Sequence, residues 1–235
     1  MSSQPPERSE TGAGATTRAN GSAGASRSSE PSVAAEVGVG PHPTPWPDDE
    51  RLDPELLEHG DRRNVLDRYR YWSVDAIVAD LDTSRNALHI AIENWEHDFN
   101  IGTVIRNANA FNAAGVHVIG PHRWDRRGAM STHRYLHLHH HPNVESFAAW
   151  CTEAELAIIA IDNVDGSLPL ESSVLPEHCV LVFGQEGPGL SSDVFDVAAA
   201  TYAITQYGST RSVNAGVASG IAMFAWALQH APSAT

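Results

Sequence analysis

The stretch Val180-Leu-Val-Phe-Gly-Gln-Glu-Gly-Pro-Gly-Leu-Ser191 sets the frame for the whole chain. Cys179 to Phe183 is a short apolar run and reads as a buried strand. It gives way at once to three glycines, a proline and a single carboxylate. Gly184, Gly187 and Gly189 let backbone approach where a side chain would stand in the way. A ligand loop at the C-terminal end of a strand, where open α/β sheets bind ligands, has this pattern. A plain tight turn has it too. The spacing does not match the dinucleotide fingerprint G-x-G-x-x-G, and no other strand–glycine–helix unit in the chain does.

Working outward, the flanking sequence alternates. Leu88–Ile92, Val116–Ile119, Ala157–Ile161 and Thr201–Ile204 read as further strands. Helices are expected over 101–114, 146–155, 192–199 and from Val213 to about His230. Alternation of this kind predicts an α/β fold, a mostly parallel sheet with helices on both faces. Upstream, residues 1–48 are rich in Ser, Gly, Ala, Thr, Pro and Glu, and read as a disordered tail. Residues 49–86 read as a helical connector, and 87–235 as the main domain. In the connector, Arg62, Arg63, Arg68 and Arg70 interleave with Tyr69, Tyr71 and Trp72. That mixture suits stacking on bases and holding phosphates, or equally a surface helix packing its aromatics on the domain.

Composition narrows the chemistry. The net charge is −14, from 29 acidic and 15 basic residues, and every basic residue is arginine. With no lysine, Walker P-loop, Schiff-base and ordinary kinase chemistry are excluded. An acidic chain argues against indiscriminate nucleic-acid binding but leaves room for a local arginine patch. Arg123, Arg126, Arg127 and Arg134 form the best one. Two cysteines, Cys151 and Cys179, make no disulfide framework and suit a reducing cytoplasm. No signal peptide is visible, and the longest apolar stretch is too interrupted to span a bilayer. His137, His139, His140 and His141 lack a partnered Cys or carboxylate at ligand spacing, so a solvated or RNA-facing loop is expected there and no metal.

Two more segments carry candidate chemistry. In Asn100-Ile-Gly-Thr-Val-Ile-Arg-Asn-Ala-Asn-Ala-Phe111, turning ~100° per residue puts Ile101, Val104, Ile105, Ala108 and Phe111 on one stripe. Arg106 falls opposite, with Gly102 expected to leave open surface beside it and Asn100 placed as the helix cap. The alternative is an ordinary exposed arginine. Near the end, Ser212 sits where an N-cap belongs and Asn214 follows in the first turn. Gly216 and Gly220, one turn apart, permit close approach by a ligand or by another helix.

Taken in order, Asn100…Arg106, Phe183–Ser191 and Ile204 through Ser212-Val-Asn214 make the chain resemble the SPOUT superfamily of RNA methyltransferases, in particular the TrmH-like ribose 2′-O-methyltransferases. The resemblance covers about residues 87–230. It implies a deep C-terminal trefoil knot, an S-adenosylmethionine cofactor, and a homodimer acting on tRNA or ribosomal RNA, not on DNA or a membrane. It places catalytic roles on Arg106, Asn100, Glu186, Ser212 and Asn214, and cofactor contacts at Ile161, Gly184, Gly189, Ile204, Ser212 and Val213. A guanidinium ionises above ~12 and rarely acts as a base, so Arg106 is expected to clamp phosphate and stabilise a developing alkoxide. The family often carries Ile-Pro-Met at the third motif, where this chain has Ile204-Thr-Gln206. A non-catalytic RNA- or nucleotide-binding module and a guanine N1 methyltransferase of the same fold are the alternatives.

Overall fold

A computed structural model of the protein describes residues 38–95 and 100–232. Residues 1–37 of the expected disordered tail lie outside that description. Residues 38–48 are tied down: Val39 and Asp61 exchange backbone hydrogen bonds of 2.9 Å, and the His42 N–H donates to Leu57 O.

Seven strands form one sheet. They are β1 (Asn86–Glu93), β2 (Ala113–Ile119), β3 (Leu138–His141), β4 (Ala157–Ile161), β5 (Leu168–Pro169), β6 (Cys179–Phe183) and β7 (Ala200–Ala203). Their order is β3-β2-β1-β6-β4-β7-β5, and every pairing is parallel. The helices of the domain are α3 (Ile101–Ala110), α4 (Val144–Glu153), α5 (Ser192–Val197) and α6 (Ala215–His230). The connector carries α1 (Pro54–His59) and α2 (Val74–Asp82).

Alternation along the strands builds a core on each face. Leu88, Ile90, Val116, Ile159, Leu181 and Phe183 pack with Val104 and Ile105 of α3 and Met223 and Trp226 of α6. Ala91, Ile119, Ile158, Val180 and Val182 pack with Val144, Phe147 and Cys151 of α4 and Val194 of α5. The expected α/β sheet covered on both faces is therefore present. The cysteines are free, and burial pushes both thiols up to about 12. Among the described residues no helix is long and apolar enough to cross a membrane.

Several local expectations are corrected. The connector's arginine–aromatic segment is not one helix but a turn of 3₁₀ helix, Asp67–Tyr69, between extended pieces. Arg63 and Arg70 bond within the connector: Arg63 Nε donates to Asp61 Oδ1 at 2.9 Å and Arg70 Nη1 donates to Arg63 O at 2.6 Å. Tyr69 is buried with Ile77 and Tyr135, so its aromatic side chain does pack on the fold. His139, His140 and His141 of the histidine run lie not in a loop but in the edge strand β3, because register with β2 overrides the poor strand preference of these residues. Leu168–Pro169 forms the opposite edge. The first domain helix stops at Ala110 because Asn112 turns to a positive φ of 46°.

Candidate active site and its relatives

The C-terminal ends of β4 and β6 open into a cleft of about 360 Å³. Ile161, Gly184, Gly189, Ile204, Ser212 and Val213, the six expected cofactor contacts, all line it. Glu186 and Asn214 line it as well, whereas Asn100 and Arg106 do not.

The glycine loop is shaped by backbone approach. Gln185 and Gly189 exchange backbone hydrogen bonds of 3.2 and 3.1 Å, folding the loop back on itself. A Cβ on Gly184 would sit 2.2 Å from the Gly189 carbonyl carbon, so only glycine fits there. Gly189 adopts a φ of +75°, which glycine accepts at little cost. Two carboxylates missing from the sequence reading hold the loop's far end. Asp162 Oδ2 accepts the Leu190 N–H at 2.9 Å. Glu93, fully buried at the end of β1, accepts from the Ser191 N–H at 2.8 Å, the Ser191 hydroxyl at 2.7 Å and Trp95 Nε1 at 2.7 Å. Their position at or just past the C-terminal end of a strand was the available signal.

The three motif segments meet at the cleft's mouth. Asn100 Nδ2 donates to Glu186 Oε2 at 2.8 Å, and Asn214 Nδ2 donates to Asn100 Oδ1 at 2.8 Å. Asn214 Nδ2 also lies 3.4 Å from Glu186 Oε2. Residues 86 and 114 positions apart are thus joined in one short chain of hydrogen bonds. Two cap assignments change as a result. Asn100 stands at the start of α3 but makes no side-chain cap, because its amide is engaged with Glu186 and Asn214. Ser212 does not cap α6; Asn214 does, its Oδ1 accepting the Gly216 and Val217 N–H groups at 2.9 and 3.3 Å.

Gly102 does not leave open surface beside Arg106. A Cβ there would lie 2.4 Å from the backbone of Gly128, so Gly102 seats the 3₁₀ turn Arg126–Ala129 on the first turn of α3. Gly216 likewise approaches Thr103 of α3, which makes α6 a closely packed neighbour of that helix. Arg106 is exposed one turn after Gly102 and has no hydrogen-bond or ion-pair partner among the described residues. Of the four candidate RNA-binding arginines, Arg127 is held bidentately by Asp125, with Nη2–Oδ2 at 2.8 Å and Nε–Oδ1 at 3.1 Å. Arg123, Arg126 and Arg134 are exposed and have no carboxylate partner among the described residues.

Charge is therefore divided. The ionisable side chains lining the cleft are Asp162 and Glu186, both acidic, while unpaired guanidiniums stand outside it. Such a cleft suits a ligand with a cationic centre, and its apolar floor of Ile161, Phe183, Ile204 and Val213 suits a flat ring. Among the described residues no group of three or more His, Cys, Asp or Glu could hold a metal ion.

Comparison with known proteins accords with this arrangement. Residues 87–224 match the model of the SpoU rRNA Methylase family. An uncharacterized tRNA/rRNA methyltransferase of Mycolicibacterium vanbaalenii is 27% identical over 201 residues, covering 81% of this chain. The chain spans only 62% of that relative's length. A tRNA (guanosine(18)-2′-O)-methyltransferase of Borreliella burgdorferi is 25% identical over 147 residues, covering 61% of this chain and 67% of that protein. The SpoU methyltransferase AviRb of Streptomyces viridochromogenes, solved in complex with AdoMet, superposes with a TM-score of 0.56 at 22% identity, covering 62% of this chain and 58% of that one. With more than half of its length under the family model, this chain belongs to the SpoU rRNA Methylase family.

Proposed function

We propose that the protein is an S-adenosylmethionine-dependent RNA methyltransferase acting on a ribose 2′-OH of tRNA or ribosomal RNA. The observation that carries this reading is the Asn100–Glu186–Asn214 chain. It ties the loop of the acidic cleft to the helix that presents Arg106. The relatives' names favour RNA, and the Borreliella protein's name favours the ribose oxygen.

When bound, the cofactor supplies an electrophilic methyl on a sulfonium centre. Ile161, Phe183, Ile204 and Val213 would shelter its adenine from water, and the loop backbone about Gly184 and Gly189 would meet its polar edges. Asp162 and Glu186 favour its positive charge by simple Coulomb attraction. Arg106 holds the phosphate next to the target ribose and stabilises the negative charge that develops on the 2′-oxygen as its proton passes to solvent. Asn100 and Asn214 fix the loop and helix against each other, so that the reacting groups are brought together at little further entropic cost. Ser212, on the cleft wall, would orient the ribose or the cofactor's polar groups.

The remaining features fit the same reading. Insertion of β6 between β1 and β4, and of β7 between β4 and β5, is compatible with a C-terminal trefoil knot. An exposed apolar stripe on α6, Val217, Ile221, Phe224 and Leu228, would be covered in a homodimer. Two free, buried thiols suit the cytoplasm.

Incubation with methyl-labelled S-adenosylmethionine and RNA, followed by mass spectrometry of the nucleoside digest, tests the proposal. Label on ribose is expected. Label on a base, or none, overturns it. Arg106→Ala should abolish transfer while calorimetric cofactor affinity stays within about twofold, since Arg106 lies outside the cleft. Near-normal turnover by that variant would remove Arg106 from the mechanism.

A further inference from the structure

A second cleft, of about 750 Å³, opens at the sheet edge beside β3. Val118, Pro121, Trp124 and Leu138 line it together with Arg123 and Arg126, and His139 and His140 complete the lining. It shares no lining residue with the first cleft. Trp124 is half-buried, packed against the core on one side and held edge-on by His133, with ring centroids 5.7 Å apart. Burial first, then the charges of Arg126 and Arg134, lowers the His133 pKa. Leu138 is exposed although it sits on a strand.

A cleft that sets an indole and apolar side chains beside guanidiniums with no carboxylate partner among the described residues matches what single-stranded RNA offers, a flat base with a phosphate on either side. A reader of phosphates alone needs no apolar lining. Duplex RNA keeps its bases stacked inside and could not enter the cleft. The site is also coupled to the reaction centre. The Gly102–Gly128 approach seats the turn bearing Arg126 on α3, the helix that presents Arg106.

The geometry points to this cleft as a subsite for the base of an unpaired nucleotide flanking the target, stacked on Trp124 with its phosphates on Arg123 and Arg126. The assignment rests on the proposed RNA methyltransferase function and names the form of RNA it takes, a single-stranded loop.

The test uses the full chain and two fluorescein-labelled probes, an oligoadenylate ten-mer and a ribose-phosphate ten-mer without bases, read by anisotropy. Trp124→Ala should weaken the adenylate probe roughly tenfold, the scale of one base–aromatic stack, and leave the abasic probe unchanged. Trp124→Phe should recover most of the loss. Arg126→Ser should weaken both probes. Should Trp124→Ala fail to fold, Leu138→Arg at the exposed edge takes its place. It fills the cleft while adding positive charge, so adenylate affinity should fall and abasic affinity should hold or rise. Equal effects of Trp124→Ala or Leu138→Arg on both probes, or none on the adenylate, overturn the subsite. Methyl transfer by the wild type is measured alongside. If no RNA is methylated but the probes separate, the enzymatic reading fails and the base subsite stands. Normal methylation with probes that do not separate removes the subsite alone.

Discussion

Asn214 does two jobs with two ends of one amide, and substitutions can separate them. Its Oδ1 caps α6 through the Gly216 and Val217 N–H groups, while its Nδ2 donates to Asn100. Removing an asparagine cap costs about 1 kcal/mol. Losing the hydrogen bond to Asn100 at this exposed mouth costs up to about 1 kcal/mol more. Asn214→Ala should therefore cost about 2 kcal/mol, or roughly 4–8 °C in Tm for a domain of this size. Asn214→Ser keeps a capping oxygen but is too short to reach Asn100. It should recover about half of the lost Tm while remaining as impaired in methyl transfer as Asn214→Ala. Loss of one orienting hydrogen bond corresponds to roughly a tenfold fall in kcat. Thermal unfolding and single-turnover methyl transfer of the two variants, side by side, decide the matter. Equal Tm values for Ala and Ser would refute the cap. Full activity of Asn214→Ser would refute the positioning role of the Asn100–Glu186–Asn214 chain.

Other consequences can be measured directly. Replacing Arg123, Arg126 and Arg134 by serine should reduce the slope of log affinity against log salt by about 0.7 per lost phosphate contact. Arg127→Ser should change that slope less, since Asp125 already holds the guanidinium. Glu93→Ala strips the Ser191 N–H and hydroxyl and the Trp95 indole of their acceptor, and should lower stability by at least about 3 kcal/mol in denaturant titration. A loss under about 1 kcal/mol would show that the loop is held by other means. His89 and His117 are neighbours across β1 and β2, their Nδ1 and Nε2 atoms 3.1 Å apart. Burial first, then neighbouring histidines, lowers their pKa values to about 4 and about 2. Both lie below the unfolded value of ~6.5, so the unfolded chain takes up protons first as the pH falls. Their contribution is intact above ~6.5 and drains below it, by up to about 1.4 kcal/mol per pH unit for each histidine. Urea midpoints at pH 7 and pH 5 should differ accordingly, and His117→Phe should narrow the gap. Identical midpoints in the wild type would contradict this.

How much of this was legible beforehand follows from which forces act locally. Strands β4 and β6 were read to the residue, because short apolar runs bounded by polar or glycine residues have few other uses. The start of α6 was misread by two residues, because Ser212 and Asn214 are both able caps and only the position of Asn100 decides between them. Strand β3 was missed because Leu138-His-His-His141 owes its conformation to register with Val116–Ile119, a long-range cause. Gly102 was expected to leave open surface beside Arg106, but it is covered by Gly128, from a turn whose docking nothing in the helix foretells. The three motif segments were found because each keeps its chemistry within a few residues. Glu93 and Asp162 were not, because a single carboxylate beside a strand looks like any other surface charge until the loop it holds is seen.

The amide–carboxylate chain at the cleft's mouth has one more consequence. A ligand that orders the loop around Glu186 also fixes Asn100, and with it the first turn of the helix carrying Arg106. Whatever affinity the cleft's occupant thereby lends to a phosphate at Arg106, the phosphate must lend back by the same factor. On the proposed function, the cofactor and the RNA are then thermodynamically linked, each changing the other's affinity by one shared factor.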